Sequence, residues 1–225
     1  VDYFRRRGDY SGGEAAFERA VQAFRPSNGE GENAHLLGSL LLCLGKCALH
    51  AQLQGTSAIL QEAVAMLRRA EPPAPLDLSQ SLTALGLTYA SLGRNPEGVE
   101  LLAEAIDILH TAGNDLGEGA TLRDWGMLEV GWGRLREAQR RLEESIQALE
   151  GRERKSYTQS NFMLGNILMM RGYYRRAEAL LSRTLSFFVE QGEDALAGYT
   201  LRNLGDLYVA TGDFVQAERC FAEVY

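Results

Sequence analysis

The sequence predicts an all-α fold, an alpha-alpha superhelix of stacked antiparallel helix pairs. Three observations carry this. Glycine-led segments of one form start at 93, 133, 172 and 212: GRNPEGVELL, GRLREAQRRL, GYYRRAEALL and GDFVQAERCF. A second glycine stands seven residues before each, at Gly86, Gly126, Gly165 and Gly205, inside an apolar stretch. Around these marks the apolar residues keep a helical period, as at Leu82, Leu85 and Tyr89 or Leu201, Leu204 and Tyr208.

Taken in chain order, GDYSGGEAAF at 8–17 repeats the closing phrase, so residues 1–33 read as a partial unit. Residues 34–77 form an irregular unit, with Gly45 in place but the turn glycine displaced to Gly55. Regular units follow at about 78–117, 118–156 and 157–193, and the last covers 194–225. In each, the G-x-x segment is a tight helix–helix turn, and the second helix follows, with Leu101, Leu102, Ala105 and Leu109 or Ala138, Leu142, Ile146 and Leu149 on its inner face. The linkers are polar or helix-breaking: PSNGEGEN at 26–33, EPPAPLD at 71–77, TAGNDLGEG at 111–119, GRERKS at 151–156 and QGED at 191–194. A glycine inside a helix costs roughly 1 kcal/mol against alanine. Its recurrence at one position therefore predicts a neighbouring helix too close for a side chain. The small residues Gly98, Ala138, Ala177 and Ala217 fit the same account. The absence of an initiator methionine and the apolar end residues read as a piece of a longer array.

Composition excludes several classes of function. A formal net charge of −7 opposes direct nucleic-acid or anionic-membrane binding by the surface as a whole. LLGSLLLCLG at 36–45 is too short to span a bilayer, and VDYFRRRGD has no apolar signal core. Cys43, Cys47 and Cys220 form no paired framework, so reduced thiols and a cytoplasmic location are expected. Cys43, Cys47 and His50 hold at most half a metal site, and packing explains them without a metal. His35, His50 and His110 lie in different units without catalytic partners, and no nucleotide, zinc-protease or serine-nucleophile motif occurs. The expectation is a protein that is not an enzyme, with no cofactor and no metal.

The repeated Leu-Gly, then aromatic, then Ala and Leu or Phe resembles the tetratricopeptide repeat. The resemblance is carried by Leu82, Leu85, Gly86, Tyr89, Gly98 and Leu102, by Leu122, Trp125, Gly126, Ala138 and Leu142, and by their counterparts through Phe221. A period of 39–40 exceeds the standard repeat of about 34, so helices or linkers are lengthened. Repeats of this length resemble the sensor arrays of bacterial signalling ATPases and maltose-regulator-type activators. Asn161 and Glu129 stand where the repeat expects large or aromatic residues. Glu129 is either a buried carboxylate needing a cation, such as an arginine of an adjacent unit, or a rotated, half-exposed position.

The resemblance implies a TPR-like solenoid that binds a protein or peptide partner on a concave face formed by the first helices. The alternative is a small-ligand sensor within a larger signalling or transcription-regulating ATPase, with a pocket near Arg123, Phe162 and Arg202. Carried onto this chain, the candidate face includes Leu42, Ala90, Met127, Met169, Met170 and Val209. Its polar and aromatic strip comprises Gln80, Arg123, Gln159, Phe162, Asn166, Tyr199, Arg202 and Asp206. Arginines there suit an acidic side chain or a carboxylate, while Asp206 is also placed to pair with Arg202. The methionines suit either an adaptable surface or interhelix filler. Self-association through Phe4, Tyr10 and Phe17 or through Phe214 and Phe221 is the third expectation.

Overall fold

The computed structural model describes residues 10–24, 32–50 and 55–223. These form eleven helices and an all-α solenoid of paired antiparallel helices, in two compact units. The first unit, Val1–Asn114, holds α1 (Tyr10–Phe24), α2 (Glu32–His50), α3 (Thr56–Arg68), α4 (Pro75–Ser91) and α5 (Asn95–Thr111). The second unit, Asp115–Tyr225, holds α6 (Asp115–Gly131), α7 (Leu135–Leu149), α8 (Arg154–Met170), α9 (Tyr174–Glu190), α10 (Asp194–Thr211) and α11 (Phe214–Glu223). Residues 1–9, 25–31, 51–54 and 224–225 lie outside the described residues, and with them nearly half of the partial first unit, Phe4 and most of the 26–33 linker.

The glycines inside the first helices are contact points. A Cβ on Gly86 would lie 2.9 Å from the carbonyl oxygen of Gly98 and 3.1 Å from Leu102 Cγ. On Gly165 it would meet Leu181 Cγ at 2.9 Å, and on Gly205 the Phe221 ring at 2.5 Å. On Gly45 it would meet Leu60 at 2.4 Å, so the irregular unit keeps the contact even though its turn glycine is displaced. The facing leucines Leu60, Leu102 and Leu181 are fully buried, each burial contributing about 2–3 kcal/mol. In the second unit these residues merge into one core, with Leu142, Leu164, Leu168, Ala177, Leu181 and Leu204 in mutual contact. In the first unit Leu42, Leu60, Leu82, Leu85 and Tyr89 form the corresponding cluster.

From α4 onward each turn is closed by a glycine in the left-handed region, such as Gly133 at φ 74°. Its amide donates to Val130 O at 2.9 Å, and the next amide, Arg134 N, donates to Glu129 O at 2.8 Å. This 6→1 and 5→2 pairing satisfies carbonyls that the helix end leaves free.

The long period resides in the helices. α4, α5, α6, α8 and α9 each run 17 residues, and α10 runs 18. Three expected linkers are correspondingly too long, that at 71–77 because α4 already begins at Pro75. α6 already begins at Asp115, where Asp115 and Glu118 complement the helix N-terminus, and Gly119 is a packing glycine whose Cβ would lie 2.5 Å from Leu149 Cγ. α8 begins at Arg154 because the Glu153 side chain accepts hydrogen bonds from the Lys155 and Ser156 amides. Burial works to raise the Glu153 pKa, but those hydrogen bonds outweigh it and hold the carboxyl below its usual range.

Two glycine-to-alanine substitutions of opposite sign test this packing account. Gly86→Ala is expected to lower stability by about 1–2 kcal/mol, the crowding outweighing the gain in helix propensity. Gly198→Ala, where a Cβ meets nothing within 4 Å, is expected to raise it by about 0.5–1 kcal/mol. Chemical denaturation of the two variants beside the parent chain measures both.

Candidate functional site

In the second unit the first helices α6, α8 and α10 touch in succession and carry most of the predicted strip. Arg123 projects from α6 with its side chain largely buried, donating from Nη1 to Gln159 Oε1 of α8 at 3.3 Å. Its Nε and Nη2 reach Asp124 Oδ1 at 3.4 and 3.3 Å. One helix further on, Asn203 of α10 donates to Asn166 Oδ1 of α8 at 2.8 Å. Side-chain amides and a guanidinium thus tie each first helix to the next. Asn203 and Asp124 are the members that the sequence reading missed. Asn203 lies 37 residues from Asn166, close to the repeat period, and that near-periodic spacing of two asparagines is the signal that would have found it.

The other strip residues divide. Phe162 is half-buried, its ring edge-on to Phe188 with centroids 6.0 Å apart. Tyr199, Arg202 and Asp206 are exposed on α10, with the Arg202 guanidinium 5.6 Å from the Tyr199 ring centroid. Arg202 forms no ion pair with Asp206 among the described residues, so both remain available to a partner. Met127, Met170 and Val209 add exposed apolar surface at the C-terminal ends of α6, α8 and α10, whereas Met169 packs onto the core. Gln80 belongs to the first unit, where it is exposed and accepts a hydrogen bond from Lys46 at 2.6 Å. Two expected face residues are corrected: Leu42 and Ala90 are buried, Leu42 against the Leu60–Val64 face of α3.

Glu129 is buried, at 4% exposure, so the half-exposed reading fails. Its cation comes from its own unit. Oε1 accepts from Trp125 Nε1 at 2.9 Å, and Oε2, which has no hydrogen bond, lies 3.4 Å from Arg134 Nε. Glu129 and Arg134 are the two residues whose backbones close the turn around Gly133. At the matching turn after α4, Arg94 lies 3.7 Å over the Tyr89 ring. The same arginine position thus faces an aromatic in one repeat and a carboxylate in the next.

His35, Ser39 and Asp77 also converge, from α2 and α4. His35 Nε2 lies 3.2 Å from Asp77 Oδ2, and Ser39 Oγ donates to the same carboxylate oxygen. Hydroxyl and imidazole both point at the carboxylate and no bond joins them, so the imidazole is not placed to take the serine proton. The arrangement ties two helices. Cys43, Cys47 and Cys220 are free thiols whose pKa values burial pushes up, which favours the unreactive protonated form. The His50 side chain lies outside the described residues. Of the expected end faces, Phe17 packs on the α2–α3 core and Phe221 covers Gly205, while Phe214 is exposed. The Phe4 and Tyr10 side chains lie outside the described residues. No described helix is long and apolar enough to cross a membrane.

The comparisons agree with this architecture. Residues 77–151 match the tetratricopeptide repeat family. BtubC (BKLC) from P. vanneervenii superposes with a TM-score of 0.79 at 18% identity, over 96% of this chain and 89% of that one. A putative kinesin light chain with TPR-like repeats from Podospora anserina gives 0.66 at 19% identity, over 82% and 91%. A Rap protein complexed with competence and sporulation factor gives 0.70 at 16% identity, over 97% of this chain and 62% of that one. No curated protein matches the sequence. The chain is a TPR-like α-solenoid repeat protein.

Two substitutions test the electrostatics. Burial raises the Asp124 pKa, and the neighbouring Arg123 opposes the rise only in part. A carboxylate with a raised folded-state pKa is stabilised by protonation, so its contribution to stability falls as pH rises through the carboxylate range. Asp124→Asn is therefore expected to raise Tm at pH 7 and to leave it unchanged near pH 3, as calorimetry at both values measures. Glu129→Ala strands the Trp125 indole N–H and is expected to cost about 2–4 kcal/mol. Glu129→Tyr, which recreates the Tyr89–Arg94 arrangement, is expected to cost less than about 1 kcal/mol in the same urea titration.

Proposed function

We propose that this chain is a non-catalytic scaffold that binds a protein or peptide segment along the first-helix face of its second unit. The observation that carries the reading is the division of labour within the strip. Arg123, Gln159 and Asn166 are spent on helix-to-helix hydrogen bonds and hold a platform in place. Tyr199, Arg202 and Asp206 stand free on it, with Met127, Met170 and Val209 as apolar neighbours. A pre-ordered platform loses little entropy on binding, and an exposed Tyr–Arg pair is the side-chain chemistry from which binding hot spots are made. A Rap protein of similar fold is described in complex with competence and sporulation factor, and another, from plasmid pLS20, with the Phr* peptide. The second supports a peptide as the partner class here.

A second reading is the sensor array of a larger signalling or transcription-regulating ATPase, of the bacterial signalling or maltose-regulator type. A cavity of about 150 Å³ between α8 and α9 supports it, though it is lined by Tyr157, Thr158, Asn161 and Arg183 and not by the Arg123, Phe162 and Arg202 where the pocket was expected.

Peptides selected from a random display library on the chain give the test. The Tyr199→Ala/Arg202→Ala double variant is expected to weaken the selected peptides about 30-fold by fluorescence anisotropy, with an unchanged Tm. Undiminished affinity in that variant refutes the first-helix face as the site.

A further inference from the structure

The position four residues before each packing glycine is leucine in four units, Leu41, Leu82, Leu122 and Leu201, and all four are buried. In the remaining unit it is Asn161, also buried, at 8% exposure. Asn161 lines a cavity of about 150 Å³ between α8 and α9. An engineered apolar cavity of that size holds one benzene, so about six non-hydrogen atoms fit.

The lining states what would occupy it. Thr158 and Thr184 donate their hydroxyl protons to the carbonyls of Arg154 and Leu181, at 2.7 and 2.9 Å. Asn161 Nδ2 donates to Tyr157 O at 2.9 Å. The two hydroxyl protons are thereby consumed, the two hydroxyl oxygens and Asn161 Oδ1 retain acceptor lone pairs, and the second Asn161 amide hydrogen and the Tyr157 hydroxyl add donors to the same lining. The lining therefore suits a group that both donates and accepts, such as a hydroxyl. Arg154 and Arg183 also line the cavity, and both are exposed. Arg154 is shared with Glu190 at 3.2 Å, whereas Arg183 has no ion-pair partner among the described residues. Two guanidiniums and no carboxylate in the lining disfavour an ammonium as the donor, because a buried cation needs a counter-charge. A neutral hydroxyl meets no such penalty, and a carboxylate completes Arg183.

We propose that the α8–α9 cavity binds a small hydroxy-carboxylate, with its hydroxyl toward Asn161 and the two threonines and its carboxylate on Arg183. This deepens the sensor reading and rests on it, independently of the first-helix face.

Titration of the chain with lactate and with glycerate at low salt, followed by ¹H–¹⁵N NMR shifts, tests the proposal. At least one is expected to saturate with a Kd on the order of 1 mM, as suits a ligand of six or seven heavy atoms. Acetate, which lacks the donor, glycerol, which lacks the charge, and serine, which adds an ammonium, are each expected to bind at least about tenfold more weakly. Asn161→Leu is expected to abolish binding while raising Tm, since it restores the leucine of the other units. The exposed Arg183→Ala is expected to keep the fold and weaken binding at least about fivefold. Tyr199→Ala/Arg202→Ala is expected to leave it unchanged, which separates this site from the peptide face. No saturation by either acid up to about 20 mM overturns the proposal. So does saturation that persists undiminished in Asn161→Leu or in Arg183→Ala.

Discussion

Everything in this chain hangs on one close approach, a glycine of the first helix laid against the second helix of the same pair. At Gly86 the neighbour is a backbone carbonyl, that of Gly98, and a Cβ on either residue would meet the other's oxygen within 3 Å. In other pairs the partner is a leucine or phenylalanine side chain driven into the notch that the missing Cβ leaves. The contact fixes both the spacing of the two helices and their register, because the knob lies sixteen residues beyond the notch at Gly86–Leu102, Gly126–Leu142, Gly165–Leu181 and Gly205–Phe221. At Gly45–Leu60 it lies fifteen beyond, so the pair survives a changed turn. With register fixed near its turn, a pair can grow only at the far ends of its helices, and the long period accordingly appears as helices of 17 residues.

The turn follows from the same constraint. A tight reversal needs a left-handed residue, and its hydrogen bonds bring the residue after the glycine back to the carbonyl five positions earlier. That places two side chains together whatever they are. Tyr89 with Arg94 satisfies the geometry through a cation over a ring, Glu129 with Arg134 through an ion pair. The backbone therefore tolerates a carboxylate where an aromatic is the rule, provided a cation follows the glycine.

The period and helix pairing were legible because glycine in the middle of an apolar helix has one economical explanation. The same residue misled where it has two. In TAGNDLGEG, Gly113 is a turn residue and Gly119 a packing residue, and composition alone merges them into one linker. The strip was legible as a set of positions but not as a set of roles, since Arg123 and Asn166 find partners 36 and 37 residues away on the next first helix. Glu129 was flagged by its type at its position. Its burial and its partner depended on turn geometry, which the sequence reading did not carry through.

Departures from the repeat rule are where a solenoid can acquire something individual, and the two here have opposite character. Glu129 is compensated from within: the Trp125 indole and the Arg134 guanidinium answer its charge, and the repeat closes around it. Asn161 is compensated only in part. Its amide finds the Tyr157 carbonyl, and a cavity of about 150 Å³ stays open beside it. Thr184 stands in the same lining where the equivalent residue of the 78–117 unit is Ala105, so polarity there comes from both helices of the pair. A cavity polar on both walls and bordered by an arginine with no ion pair among the described residues has no structural return. Its physical logic is completed by a ligand.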